Sequence, residues 1–440
     1  MTMRRSGGLL LVAALVIGAA YVGYREYQER PLVDVVSPQP EVRLHAVRNL
    51  TRQDNPVAVQ ALIKTLGDSE QPVNGAARQA LRASGARLLA ALVAAQQHYV
   101  LLKTPTPGEE LRNERRCTEI SALLAALGKP AVAPLRQALL KPDYAYRLAV
   151  LHTLSRIDDP AAIDALAAVL GDTDLGMQAE ALTLLGQSAD PRAVPHLLVA
   201  LRGSNVRLRR LAVQGLATTT SADAVDALRT ALKDKDAQVR KGALFALGAT
   251  RNPRGLEILI SLLKSTEDAD RRQAVETALI RYGPGATDTL FKVMGEEEFA
   301  LTRQAIAYAL KGMDDAGVNA RLVKGIEDGN RRVRESCAMG LEVMDTPEAN
   351  TALDAALTAR RYDIIAMVPA YYIGKGTPGS EPVLIEAMNR EGGMFTAGYL
   401  LNTGNATLVH AARRWAANNG FVVSRSSHAQ ASVAWGSSQR

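Results

Sequence analysis

The run Val239-Arg240-Lys241-Gly242-Ala243-Leu244-Phe245-Ala246-Leu247-Gly248 decides how the rest of the chain is read. An apolar residue is followed by arginine, small residues return every third or fourth place, and a leucine closes the pattern. That spacing puts one apolar stripe along a helix. The leucine position recurs at Leu50, Leu81, Leu127, Leu154, Leu185, Leu216, Leu247, Leu279, Leu310, Leu341, Ile373 and Leu401. From Leu154 to Leu341 the steps are 31, 31, 31, 32, 31 and 31 residues. A unit this small cannot bury its own apolar surface and must stack on its neighbours.

Each period carries two helix starts with different chemistry. Three residues before the apolar-Arg pair stands Asp143, Asp174, Asn205, Asp236, Asp268 or Asn330. A side-chain oxygen there accepts the free N–H groups of a helix start. The second start is a cap followed by proline, at Asn55-Pro56, Asp159-Pro160, Asp190-Pro191, Asn252-Pro253, Thr346-Pro347 and Thr377-Pro378. Proline in the first helical turn loses no hydrogen bond and already has helical φ. Amphipathic runs such as 161–170 follow these prolines.

Composition agrees with an all-helical stack. Hydrophobic residues make up 47% of the 440 and aromatics only 4%, so the core is built of Ala, Leu and Val. The net charge of +7 is spread thinly: +2 in residues 1–30, +2 in residues 421–440, and +3 over the long body. Nucleic acid is therefore an unlikely partner on charge alone. Cys117 and Cys337 fall far apart in the stack, among small apolar helical positions. They read as buried small hydrophobes and not as a disulfide.

Period, caps, apolar-Arg pair and Asp-Pro turn together resemble the HEAT-repeat family, in particular the bacterial HEAT-like repeats of the phycobilin-lyase type. The resemblance covers about residues 38–418. It implies a right-handed α-solenoid of about twelve helix pairs, the first helix of each pair on the convex side and the second on the concave side. The step from Leu81 to Leu127 is about fifteen residues too long. An insertion near 98–116 is expected, with lengthened helices around the turn Thr104-Pro105-Thr106-Pro107-Gly108. Pro369 is expected to kink a first helix.

Gly7 to Tyr24 is free of charge, follows Arg4 and Arg5, and as a helix spans roughly 27 Å. Residues 1–30 are expected to hold a transmembrane signal-anchor with its N-terminus cytoplasmic and the repeats extracytoplasmic, periplasmic in a Gram-negative cell. A cleaved signal ending near Gly18-Ala19-Ala20 is the alternative, and it exports the body equally. Residues 31–420 form the solenoid, and the Ser-rich 421–440 reads as a disordered tail.

No catalytic constellation stands out. The six histidines, His45, His98, His152, His196, His410 and His428, lack ligand spacing and none precedes a glutamate, unlike the iron-binding HEAT hydroxylases. No cofactor or metal is expected. The arginine column Arg43, Arg147, Arg209, Arg240, Arg272, Arg303 and Arg334 reads as a ladder between repeats, each arginine forking onto the capping Asp143, Asp174, Asp236 or Asp268 of a neighbour. The triplet Glu296-Glu297-Glu298 reads as a helix start. Much of the aromatic content collects late, in Tyr362, Tyr371, Tyr372, Phe395, Tyr399 and Trp415. Tyrosine and tryptophan are enriched at interaction hot spots, so this end is the candidate docking region. The function expected is a non-enzymatic, membrane-tethered scaffold or adaptor that binds a protein partner through the concave face or the C-terminal end. The alternatives are a polyanion-binding surface protein, with Arg207, Arg210, Lys241, Arg271, Arg331 and Arg332 beside the column, and a lyase- or chaperone-like protein by analogy with the phycobilin lyases.

Overall fold

The computed structural model describes residues 30–423, apart from 54, 104, 105 and 392, together with Gly436. The apolar run 7–24 and most of the 421–440 tail lie outside the described residues. Among the described residues no helix is long and apolar enough to cross a membrane.

Every regular element described is helical, and the helices fall into two compact units, with the chain dividing after Gly215. Unit 1 pairs α1 (Pro40–Leu50) with α2 (Pro56–Thr65), α3 (Gln71–Ala83) with α4 (Leu89–Leu101), and α5 (Pro107–Leu127) with α6 (Lys129–Ala138). It continues with α7 (Tyr144–Leu154) and α8 (Pro160–Ala168), then α9 (Leu175–Gln187) and α10 (Val194–Arg202), and closes on α11 (Val206–Leu216). Unit 2 opens on α12 (Ala222–Ala231). Its pairs are α13 (Ala237–Ala249) with α14 (Pro253–Ser265), α15 (Ala269–Tyr282) with α16 (Thr287–Glu296), and α17 (Ala300–Gly312) with α18 (Ala316–Gly325). Then come α19 (Arg331–Met344) and α20 (Pro347–Thr358), and a split helix α21 (Tyr362–Ile365) plus α22 (Pro369–Lys375) with α23 (Glu381–Arg390). The last pair is α24 (Met394–Leu401) and α25 (Ala406–Asn418).

The recurring leucines sit where two helices of a pair meet their neighbours. Ten of the twelve are buried. Leu127 and Leu401 are half-buried, and Leu124 and Leu400 take the interior place instead. The register slips because α5 is unusually long, at 21 residues, and α24 is short, at 8.

Caps follow the local chemistry with two exceptions. Asp174 accepts from the Gly176 and Met177 N–H groups at 2.6 and 3.1 Å, and Asp236, Asp268 and Asn330 cap in the same way. Asn55, Asp159, Asp190, Asn252 and Thr346 cap the proline-led starts. Asp143 makes no capping bond. Thr377-Pro378 does not open a helix: Gly379 turns the chain at φ +81°, and α23 starts beyond it at Glu381. Pro369 breaks its helix instead of kinking it. Val368 leaves helical geometry at φ −128°, and Pro369 starts α22, where its missing N–H costs nothing. Glu296 ends α16, so the acidic triplet follows a helix; Glu297 accepts from the Phe299 N–H and pairs with Lys264.

The insertion is α4, ending at Leu101, and the 21-residue α5, capped by Thr106. It is stitched to the array. The Asn113 amide donates to the Tyr99 carbonyl at 2.6 Å, the Arg116 Nε–H to the Lys64 carbonyl at 2.9 Å, and buried Gln96 to Thr153 Oγ1 at 2.7 Å.

Neighbouring first helices approach very closely. A Cβ on Gly248 of α13 would lie 2.1 Å from the Ala278 carbonyl oxygen of α15. In unit 1 a Cβ on Gly186 of α9 would lie 2.6 Å from the Gly215 Cα of α11. In each unit, then, glycines let first helices of adjacent repeats touch backbone to backbone.

Cys117 is half-buried and Cys337 buried, and both are free thiols. Cys337 fills the space left by Gly325, where a Cβ would meet its Sγ at 2.3 Å, and burial pushes its thiol up to about 12.

Candidate protein-docking surface

The arginine column serves mainly to lock loops. Arg209, Arg240, Arg272, Arg303 and Arg334 each donate to two backbone carbonyls just before their own helix, as Arg303 does to Glu297 at 3.1 Å and Glu298 at 2.8 Å. Arg43 holds Ser37 and Pro38 in the same way. Several also reach an acid of the next repeat, but not its capping residue. Arg43 forks onto Asp68 at 2.7 and 2.9 Å, and Arg147 pairs with Asp172. Those acids stand two residues ahead of the helix-flanking Glu70 and Asp174. The reason is geometric: Asp174 is turned into its own helix start and its oxygen is already engaged. The Asp174 N–H first, and Arg147 with it, hold the Asp172 carboxyl below the usual carboxylate range.

Farther along, Arg334 pairs with Asp363 at 2.8 Å and Arg303 with Glu335 at 3.0 Å. Arg240 is exposed, Arg272 half-buried and Arg303 buried, so these three do not form a solvent-facing stripe for a polyanion. Of the charges beside the column, Arg331 pairs with Glu335 and Glu391, and Arg332 with Glu298.

The six late aromatics separate into three environments. Tyr372 is core, 1% exposed, and its hydroxyl donates to the Leu353 carbonyl at 2.8 Å. Tyr371 is half-buried against it, edge to face at 5.1 Å, and donates to Asp354 Oδ1 at 3.2 Å. Burial pushes both phenols up. Tyr362 is half-buried beneath the Arg390 guanidinium at 4.7 Å. Phe395 is 54% exposed beside Met394 at 68%, and meets Tyr399 edge to face at 5.0 Å. Trp415 stacks on Phe421 at 5.7 Å on the last helix.

The structure adds residues that the aromatic count does not reveal. Phe245, Tyr308, Tyr371 and Tyr399 all stand two places before a repeat leucine or its equivalent, on the first-helix row of unit 2. Arg281 of α15 covers the Phe245 ring at 4.7 Å. The Tyr308 hydroxyl accepts from Gln304 at 2.9 Å. Burial chiefly, and the nearby Glu342, Tyr399 and Glu276, push the Tyr308 phenol up. Glu342 of α19 accepts the Tyr371 N–H at 3.2 Å, and burial raises its carboxyl to about 7. Glu276 is raised by burial as well. Neither Glu276 nor Glu342 has an ion-pair partner among the described residues. The row thus presents two partly desolvated carboxyls and several tyrosines, bounded at α24 by exposed Met394 and Phe395. A cationic or N–H-bearing side chain with an apolar neighbour fits that chemistry. The signal was legible as the recurring place two before the leucine, but only stacking brings Tyr308, Tyr399, Glu276 and Glu342 near one another, while the Tyr371 hydroxyl turns to α20.

Glu342 has a consequence for stability. Its folded pKa lies above the ordinary glutamate value, so its contribution is fully present below about pH 4.5 and is lost as pH rises through about 7. Glu342→Gln is expected to match the parent near pH 4 and to be more stable at pH 8, by on the order of 3 kcal/mol. Denaturation midpoints across that range check it, and unchanged pH dependence in the variant would refute the assignment.

Among the described residues no group of three His, Cys, Asp or Glu side chains is placed to hold a metal ion.

A family model described as HEAT repeats matches residues 132–207 and 194–280. Residues 132–280 carry HEAT repeats. No curated protein sequence matches it. Among solved structures, human deoxyhypusine hydroxylase is 20% identical, covering 55% of this chain and 94% of that one, with a TM-score of 0.27. The complex of CpcE and CpcF of phycocyanin lyase from Nostoc sp. PCC7120 is 20% identical over 57% and 92%, with a TM-score of 0.27. Yeast importin-beta (Kap95p) is 13% identical over 87% of this chain and 60% of that chain, with a TM-score of 0.36. At these values the likenesses carry nothing about function.

Proposed function

We propose that this HEAT-repeat protein is a non-enzymatic scaffold that binds a protein partner on the first-helix face of unit 2. The supporting observation is the strip of Glu276 and Glu342, without an ion-pair partner among the described residues, beside Tyr308 and Tyr399, with the Tyr371 N–H on Glu342 and exposed Met394 and Phe395 at its end. Desolvated polar groups beside exposed aromatics are what an interface hot spot requires. The partner supplies a basic side chain next to an apolar one. The tether to a membrane through residues 7–24, with the repeats outside the cytoplasm, belongs to the same proposal and rests on the sequence.

The test is capture from detergent-solubilised membranes with the full chain and with a Met394→Ser, Phe395→Ser variant. Both residues are largely exposed, so the repeats should fold unchanged. A specific partner is expected to be recovered at least tenfold less with the variant. Equal recovery would place the interface elsewhere, and no enrichment with either chain would remove the scaffold reading.

A further inference from the structure

We infer that the chain's own C-terminal segment, residues 424–440, is an intramolecular ligand of this face, docking on α22 through Gly436. The Gly436 N–H donates to the Ile373 carbonyl at 3.0 Å. Ile373 is buried in the last turn of α22, where carbonyls have run out of intrahelical partners. The Gly376 N–H takes the neighbouring Tyr372 carbonyl, and Gly436 takes the next. Gly436 is partly buried there and has φ +71°, a conformation that favours glycine.

Three further observations agree. The same short helix carries Tyr371, whose N–H is held by Glu342, so the contact lies two residues along α22 from the strip proposed to bind a partner. Residues 421–440 hold Arg425 and Arg440 and no acidic residue, which complements Glu342 and Glu276, neither with an ion-pair partner among the described residues. Chain length allows the return: α25 ends at Asn418, and the stretch to Gly436 reaches up to about 60 Å at ~3.3 Å per residue. A tail held in cis has a high effective concentration and must be displaced before a partner occupies the same place.

This inference rests on reading the face as a docking surface. The test is hydrogen exchange on the full chain, on its Gly436→Pro variant, and on a synthetic peptide of residues 424–440. Proline removes the donor and cannot adopt positive φ. In the full chain the amides of residues 430–440 are expected to exchange at least tenfold more slowly than in the peptide. Gly436→Pro should return them to the peptide rate and speed exchange in residues 369–376. Exchange at the peptide rate in the full chain, or protection that survives Gly436→Pro, overturns the inference. A partner captured by a chain whose tail exchanges freely would leave the scaffold standing and remove only the tail.

Discussion

Glu335→Ala is expected to cost the unit 2 stack about 3–5 kcal/mol, the usual consequence of leaving a buried charge without its partner. The Arg303 and Glu335 side chains are 7% and 8% exposed and pair across α17 and α19 at 3.0 Å. Glu335 also accepts from Arg331 at 2.6 Å, and Arg331 reaches on to Glu391 at 2.7 Å. One carboxylate thus joins a loop-locking arginine to two later elements. The two carbonyls that Arg303 already holds do not neutralise it, and its Nε has no partner in the parent. Glu335→Gln keeps an acceptor and should lose less than Glu335→Ala. In a long repeat array a single unfolding midpoint can mask a local loss. Hydrogen exchange over residues 300–344 is therefore the measurement, with faster exchange expected there than in unit 1. If both variants leave that region as protected as the parent, the ion network does not hold α17 to α19.

Gly248→Ala is the second large effect. Its new Cβ would lie 2.1 Å from the Ala278 carbonyl oxygen, a backbone atom that no side-chain rotation can move. Helices α13 and α15 must separate, at about 1–3 kcal/mol for overpacking of this kind. Separation also strains the Arg281–Phe245 contact between the same two helices. The control is Gly75→Ala in α3, where the added methyl meets nothing within 4 Å. It should stabilise the chain by about 0.5–1 kcal/mol, because glycine is a poor helix residue when nothing needs its smallness. Thermal denaturation of the two variants is expected to move in opposite directions. A Gly248→Ala chain as stable as its parent would mean that α13 and α15 are not in backbone contact.

The helices, their pairing and most of their starts were readable residue by residue. A cap oxygen, a proline at the first turn and a 3.6-residue apolar stripe act within ten residues of chain, so they need no tertiary partner to be recognised. Even where reading and structure part, the cause is local and small. Gly379 at positive φ displaces a helix start that Thr377-Pro378 advertises, and Pro369 begins a helix where a kink was expected.

The candidate site was legible only in fragments. Tyr371, Phe395 and Tyr399 stood out as aromatics in a chain that has few. Glu276 and Glu342 looked like any helix-surface acids, because burial and lack of a cation are properties of the neighbours. Tyr372 shows the opposite case: its ring and hydroxyl are spent on α20, which no count of aromatics reveals.

By itself the sequence determined a helical repeat of about 31 residues, most of its caps and an insertion near 98–116, since each rests on interactions between near neighbours in the chain; of the two helices there only α5 is lengthened. The tertiary structure alone decided which helices touch backbone to backbone, which acids the arginines of the column meet, and which carboxyls lose their water. Those outcomes depend on how closely one repeat settles on the next, and at Gly248 a single missing Cβ sets that distance.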